Sequence, residues 1–202
     1  MNDNTYERVD SNEIYETYEW DNVWMEHLSK KNKKRVAYIG DSISQGVRRL
    51  ATAVANEDVL FDGYATSKAV DNPCFKDMID IFIGQLPPVD KIIFNNGLHG
   101  WHLEDDNTYK KYYEEMILFL KSKYESAELI LVLTTAVSDK ERNERVKIRN
   151  KSVIELAKKY SLSIVDLYSL VEENIDLLTG DGVHPNAELC SKIAEYIVEK
   201  VK

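Results

Sequence analysis

Short β-type runs alternate along this chain with longer stretches of helical periodicity. That alternation is the pattern of a parallel sheet covered by helices on both faces. Strand-like runs fall at Arg35 to Ile39, Val59 to Tyr64, Lys91 to Asn95, Glu128 to Thr134 and Ser163 to Asp166. Between them, Tyr109, Tyr112, Tyr113, Met116, Leu120 and Tyr124 recur at helical spacing, as do Val146, Val153, Ala157 and Tyr160, and again Leu189, Ile193, Ile197 and Val201. Each segment has an apolar stripe to lay on the sheet. Pro87-Pro88 and Pro185 act as local punctuation, and no internal repeat or low-complexity tract interrupts the pattern. The expected class is α/β, a doubly wound sheet of five parallel strands.

A chain of 202 residues with 44% apolar content fills one such domain and needs no second core. Residues 35–202 form that domain, and residues 1–34 form an N-terminal extension. The part from about Val9 to Lys30 reads as helical, with Ile14, Tyr18, Met25 and Leu28 on one face and Trp20 and Trp24 nearby. Packing on its own domain is the first expectation for it, and a contact between subunits the alternative.

Composition narrows the partners. A net charge of −9 argues against nucleic acid or an anionic membrane surface and leaves an uncharged small molecule as the better fit. The basic run Lys30-Lys31-Asn32-Lys33-Lys34-Arg35 reads as a solvated connection. The opening residues have neither a basic region nor an apolar core of the secretory kind, so a cytoplasmic location is expected. Cys74 and Cys190 form no C-x-x-C pair and read as reduced structural thiols.

Two stretches carry chemistry. In Tyr38-Ile39-Gly40-Asp41-Ser42-Ile43-Ser44, a strand runs into a Gly-Asp-Ser turn and leaves a hydroxyl at the sheet end where α/β proteins bind ligands. Taken alone, Ser42 reads equally as a helix cap. In Gly180-Asp181-Gly182-Val183-His184-Pro185, a carboxylate and an imidazole three residues apart share a short turn, close enough for Asp181 to reach His184 Nδ1–H. Together they supply the roles of a hydrolytic triad: Ser42 as nucleophile, His184 as general base and acid, and Asp181 as the group that orients the imidazole. The Gly-Asp-Ser turn is not the G-x-S-x-G elbow, which disfavours the common α/β-hydrolase fold.

At these residues the chain resembles the SGNH or GDSL hydrolases. "GDSIS" is similar to the family's nucleophile block and "DGVHP" to its Asp-x-x-His block, and the resemblance runs from about Arg35 to the C-terminus. It implies a flavodoxin-like three-layer sandwich and a serine esterase or acylhydrolase acting through an acyl-enzyme. A small ester is the substrate implied, with O-acetyl on a carbohydrate favoured, and no metal or organic cofactor is implied.

The family's remaining blocks build an oxyanion hole, and here the chain departs from the usual pattern. "YATSKAV" places Ser67 where a glycine amide is normal, and "FNNGLHG" offers His99 at the asparagine position on one match and Asn95 or Asn96 on a shifted one. His99 is preferred slightly and Asn96 second. Trp101 reads either as a wall of the substrate pocket or as a core residue. The run His99-Gly100-Trp101-His102 with Glu104, Asp105 and Asp106 lacks a second ligand cluster, so it reads as a lead into the next helix rather than a metal site. Two rival functions follow: an inactive carbohydrate-binding module on the same fold, and, behind it, a flavodoxin-like carrier whose "GDSISQG" loop cradles phosphate.

Overall fold

The computed structural model describes residues 14–16 and 18–202. Among them the sheet has six strands: β1 (Asp21–Trp24), β2 (Lys34–Gly40), β3 (Val59–Thr66), β4 (Lys91–Phe94), β5 (Glu128–Val132) and β6 (Ser163–Val165), in the order β1-β3-β2-β4-β5-β6. The last five are the strands expected from sequence, and they run parallel. β1 is an addition, paired antiparallel with β3 from Asp21 opposite Thr66 to Trp24 opposite Gly63.

The expectation of a helical N-terminal extension is therefore corrected over its described part, where Asp21–Trp24 is strand and Leu28 is exposed. The physical reason lies in β3. Without β1 its outer edge would present a row of unpaired backbone groups, and Asp21 adds a side-chain anchor by accepting from Tyr64, Thr66 and Lys68. The expected helical segment also includes residues 9–13, which lie outside the described residues.

Among the described residues six α-helices cover the sheet: α1 (Ser42–Val54), α2 (Phe75–Ile83), α3 (Asp106–Lys123), α4 (Lys140–Tyr160), α5 (Leu167–Glu172) and α6 (Ala187–Val201). Alternation along the strands divides the core in two. Val36 and Tyr38 of β2, Ile93 of β4, and Ile130 and Val132 of β5 pack with α1, α5 and α6. Ala37 and Ile39, Ile92 and Phe94, and Leu129 and Leu131 pack on the other face with α2, α3 and α4. The apolar stripes read from sequence are the buried faces of α3, α4 and α6.

Arg35 is not a solvated residue at the end of a basic run. It is fully buried, donating to Asp62 Oδ2 at 2.7 Å and to the carbonyl of His27. Asp62 also accepts from the Glu26 amide, and burial pushes its carboxyl above the ordinary range against the pull of these donors. Both faces of β2 are covered from Arg35 onward, so Arg35 is enclosed while Lys34, at the strand's exposed start, stays outside.

The winding direction reverses between β3 and β4, which flank β2. In doubly wound sheets the crevice outside the carboxyl ends of such strands is where ligands sit. The loops that follow β2 and β4 carry Ser42 and Asn95 to Asp105 to that edge. No helix among the described residues is long and apolar enough to cross a membrane.

Candidate active site

The local structure around Ser42 follows from Gly40 and Asp41. A Cβ on Gly40 would stand 2.8 Å from Ser44 Cβ, so only glycine lets the strand turn this tightly into α1. Asp41 is the N-cap, and its carboxylate accepts from the Ile43 amide at 2.9 Å. The capping role thus belongs to Asp41, and the hydroxyl of Ser42, the first helical residue, is turned elsewhere.

It meets His184. Ser42 Oγ lies 2.8 Å from His184 Nε2, and His184 Nδ1 lies 2.6 Å from Asp181 Oδ2. The turn carrying the pair is built to hold it. Gly182 has φ +72°, a left-handed conformation that suits glycine, and its carbonyl accepts from the Ser138 amide at 2.8 Å. The Thr179 amide donates to the His184 carbonyl at 2.7 Å. Pro185 precedes Asn186, the N-cap of α6, so the proline lies just outside the helix.

Asp181 Oδ1 accepts from the amides of Val183 and His184 and from the Thr179 hydroxyl. Partial burial works to raise its pKa, but these donors and the His184 imidazole together hold it well below the usual carboxylate range. A carboxylate ionised throughout the working range of an imidazole can fix the tautomer in which Nδ1 carries the proton.

The other residues singled out in the sequence are placed differently. Ser67 extends the β1–β3 pairing: its amide donates to the Trp20 carbonyl at 3.2 Å and its hydroxyl accepts from the Trp20 amide at 2.9 Å. That amide is already committed, so Ser67 is corrected as an oxyanion donor. His99 is buried with Nδ1 2.7 Å from Glu16 Oε1 and its ring edge-on to Trp20. Asn96 is also buried; Nδ2 donates one hydrogen bond to the Lys68 carbonyl at 2.7 Å, and among the described residues its second amide hydrogen has no acceptor. Asn95 spends its amide on Val132 and Thr134.

Trp101 is 3% exposed and packs in the core cluster with α1 and α6, beneath the guanidinium groups of Arg142, Arg145 and Arg149. By burial and packing it is a core tryptophan. His102 pairs with Asp71 at 2.8 Å, Asp105 caps α3, and no cluster of three potential metal ligands occurs among the described residues. Sequence reasoning missed Glu16 and Arg149, the first because it lay in a segment read as helix and the second because an arginine in a polar helix carries no motif.

No family model matches the chain. An acetyl xylan esterase structure, AlAXEase, superposes with a TM-score of 0.65 at 19% identity, covering 83% of this chain and all of that one. A member of the lipolytic protein G-D-S-L family from Veillonella parvula gives 0.64 at 18% identity, over 83% of this chain and 97% of that one. The chain has the GDSL/SGNH hydrolase fold. In sequence, an acetylxylan esterase of Xylanibacter ruminicola is 42% identical over 48 residues, 24% of this chain. The match spans a tenth of that relative's length. In the GDSL/SGNH fold of this chain, the hydrogen-bonded Ser42, His184 and Asp181 lie at the carboxyl end of the sheet, with the His184 and Asp181 side chains partly open to solvent.

Proposed function

We propose that the chain is a carboxylic ester hydrolase that removes acetyl groups from a carbohydrate, with Ser42 as nucleophile, His184 as general base and acid, and Asp181 orienting His184. The observation that carries this reading is the continuous hydrogen-bonded chain from Ser42 Oγ through both ring nitrogens of His184 to Asp181. Its support from outside the chain is the shared fold and the short match to an acetylxylan esterase.

As Ser42 Oγ bonds to the ester carbonyl carbon, His184 Nε2 takes the hydroxyl proton and Asp181 stabilises the imidazolium. The Ser42 amide, at the first position of α1, is one of the helix's orphan donors and meets the developing oxyanion with the favourable end of the helix dipole. Asn96 supplies the side-chain donor, in preference to His99, whose Nδ1 already faces Glu16. Collapse breaks the C–O bond, and the sugar oxygen leaves with the proton from His184. Water, deprotonated by His184, then attacks the acetyl-serine and regenerates Ser42 with release of acetate.

The test is intact mass after exposure to a fluorophosphonate, together with acetate release from an acetylated xylo-oligosaccharide, for the parent and for Ser42→Ala. One adduct and turnover in the parent, both lost in the variant, support the reading. A folded parent with neither favours the second reading, a carbohydrate-binding module on this fold. That reading draws on the committed Ser67 amide and the occupied His99 Nδ1.

A further inference from the structure

Midway along α4, Arg149 is 1% exposed, and no carboxylate lies within ion-pair distance of it among the described residues. Its guanidinium is spent on the backbone of one loop. Nη1 donates to the carbonyls of Gly97 at 3.0 Å and His99 at 2.7 Å, and Nη2 to that of Gly100 at 2.6 Å, with a longer reach of 3.5 Å to Leu103. Its plane lies against Trp101 and Tyr109, 4.6 Å from each ring centre. The Tyr109 hydroxyl donates to the Asn96 carbonyl, and Arg145, one turn earlier on α4, donates to the carbonyls of Trp101 and Leu103.

The loop from Asn96 to Leu103 is therefore held largely by its own carbonyls: those of Gly97, His99 and Gly100 converge on one cation that lies against two aromatic rings, with Tyr109 and Arg145 taking those of Asn96 and Trp101. Burying that charge is costly: desolvation, with a smaller contribution from Arg145, pushes the Arg149 guanidinium down to about 10. A planar fork of donors suits this task, whereas a lysine ammonium cannot span the same set of carbonyls. The loop so held begins with Asn96, one residue beyond Asn95, whose own amide continues the sheet by donating to the Ile39 carbonyl of the nucleophile's strand at 3.0 Å.

We propose that Arg149 is a positioning residue for ester hydrolysis: through the loop carbonyls it fixes Asn96 in the geometry needed to stabilise the acyl oxyanion. This rests on the esterase reading above. It implies that losing the fork lowers kcat and leaves KM nearly unchanged, because an oxyanion donor acts on the transition state more than on bound ester.

The experiment measures kcat and KM for acetyl-ester hydrolysis by the parent, Arg149→Met and Arg149→Lys, with melting temperatures and fluorophosphonate adducts on the same samples. A folded Arg149→Met is expected to lose about a hundredfold in kcat, near the loss of one oxyanion donor, with KM within about twofold and the pH profile unmoved. Arg149→Lys is expected to recover part of this only. A folded Arg149→Met with the parent's kcat, or full recovery in Arg149→Lys, overturns the positioning role while the esterase reading stands. If Arg149→Met does not fold, Arg149→Lys decides: an unchanged kcat overturns the proposal, and a lower kcat at constant KM supports it. A parent with neither turnover nor adduct overturns the esterase reading and the proposal with it.

Discussion

His184 Nε2 stands 2.8 Å from Ser42 Oγ across a sequence separation of 142 residues. The two residues are brought together because α1 and α6, which they precede or begin, pack side by side on one face of the sheet. On the esterase reading proposed above, such a pair acts as a unit in catalysis, so its losses do not add. Ser42→Ala and His184→Ala are each expected to lower kcat by about a thousandfold or more, and the double variant to be no worse than the more damaged single one. Acetate release by the three variants checks this; a double variant slower by the product of both losses contradicts it.

Asp181 gives a pH-dependent prediction. Its folded pKa is depressed below the ordinary carboxylate value of about 3.9. A depressed carboxylate contributes stability that is fully present above the unfolded pKa and is lost as pH falls through the folded one. Asp181→Asn is therefore expected to be less stable than the parent at pH 7, with the difference narrowing below about pH 4. Urea midpoints of both proteins from pH 7 to pH 3 test it. A gap that stays constant across that range would show that the ionised form contributes nothing.

The five parallel strands and the apolar faces of α3, α4 and α6 were legible because their periodicity is local, and Ser42, Asp181 and His184 because each sits in a motif bounded by glycine. β1 was not legible. Asp21–Trp24 is strand because β3 offers an edge and Asp21 finds Tyr64, Thr66 and Lys68 there, and none of those partners is near it in sequence. The same holds for Ser67, whose amide is claimed by Trp20 from that strand's entry. Arg149 was hidden for a related reason: an arginine amid the polar residues of α4 reads as surface until the loop carbonyls it serves are in place.

The ion pair of Arg35 with Asp62 is buried completely, with both side chains at 0% exposure. Removing one partner leaves an uncompensated charge, whereas replacing both by apolar groups is often nearly neutral. Arg35→Met is expected to cost about 3–5 kcal/mol, and the double variant Arg35→Met, Asp62→Leu to be more stable than either single one. Guanidinium unfolding of the three variants decides; a double variant at the sum of the single losses would show that the pair has no such coupling.

Gly182 tests whether the turn holds His184 by backbone geometry. A Cβ there would lie 2.9 Å from Ser138 Cβ, and its φ of +72° adds strain for any L side chain. Gly182→Ala is therefore expected to cost more than about 1 kcal/mol in stability, since the Gly182 carbonyl is also the anchor for the Ser138 amide. Displacing this turn shifts the imidazole away from Ser42, and a misplacement of about 1 Å costs on the order of a hundredfold in rate. The fluorophosphonate reaction should slow with it, because that reaction needs the activated hydroxyl but no sugar. A variant that melts lower yet labels at the parent's rate would show that His184 is held by Asp181 and α6 alone.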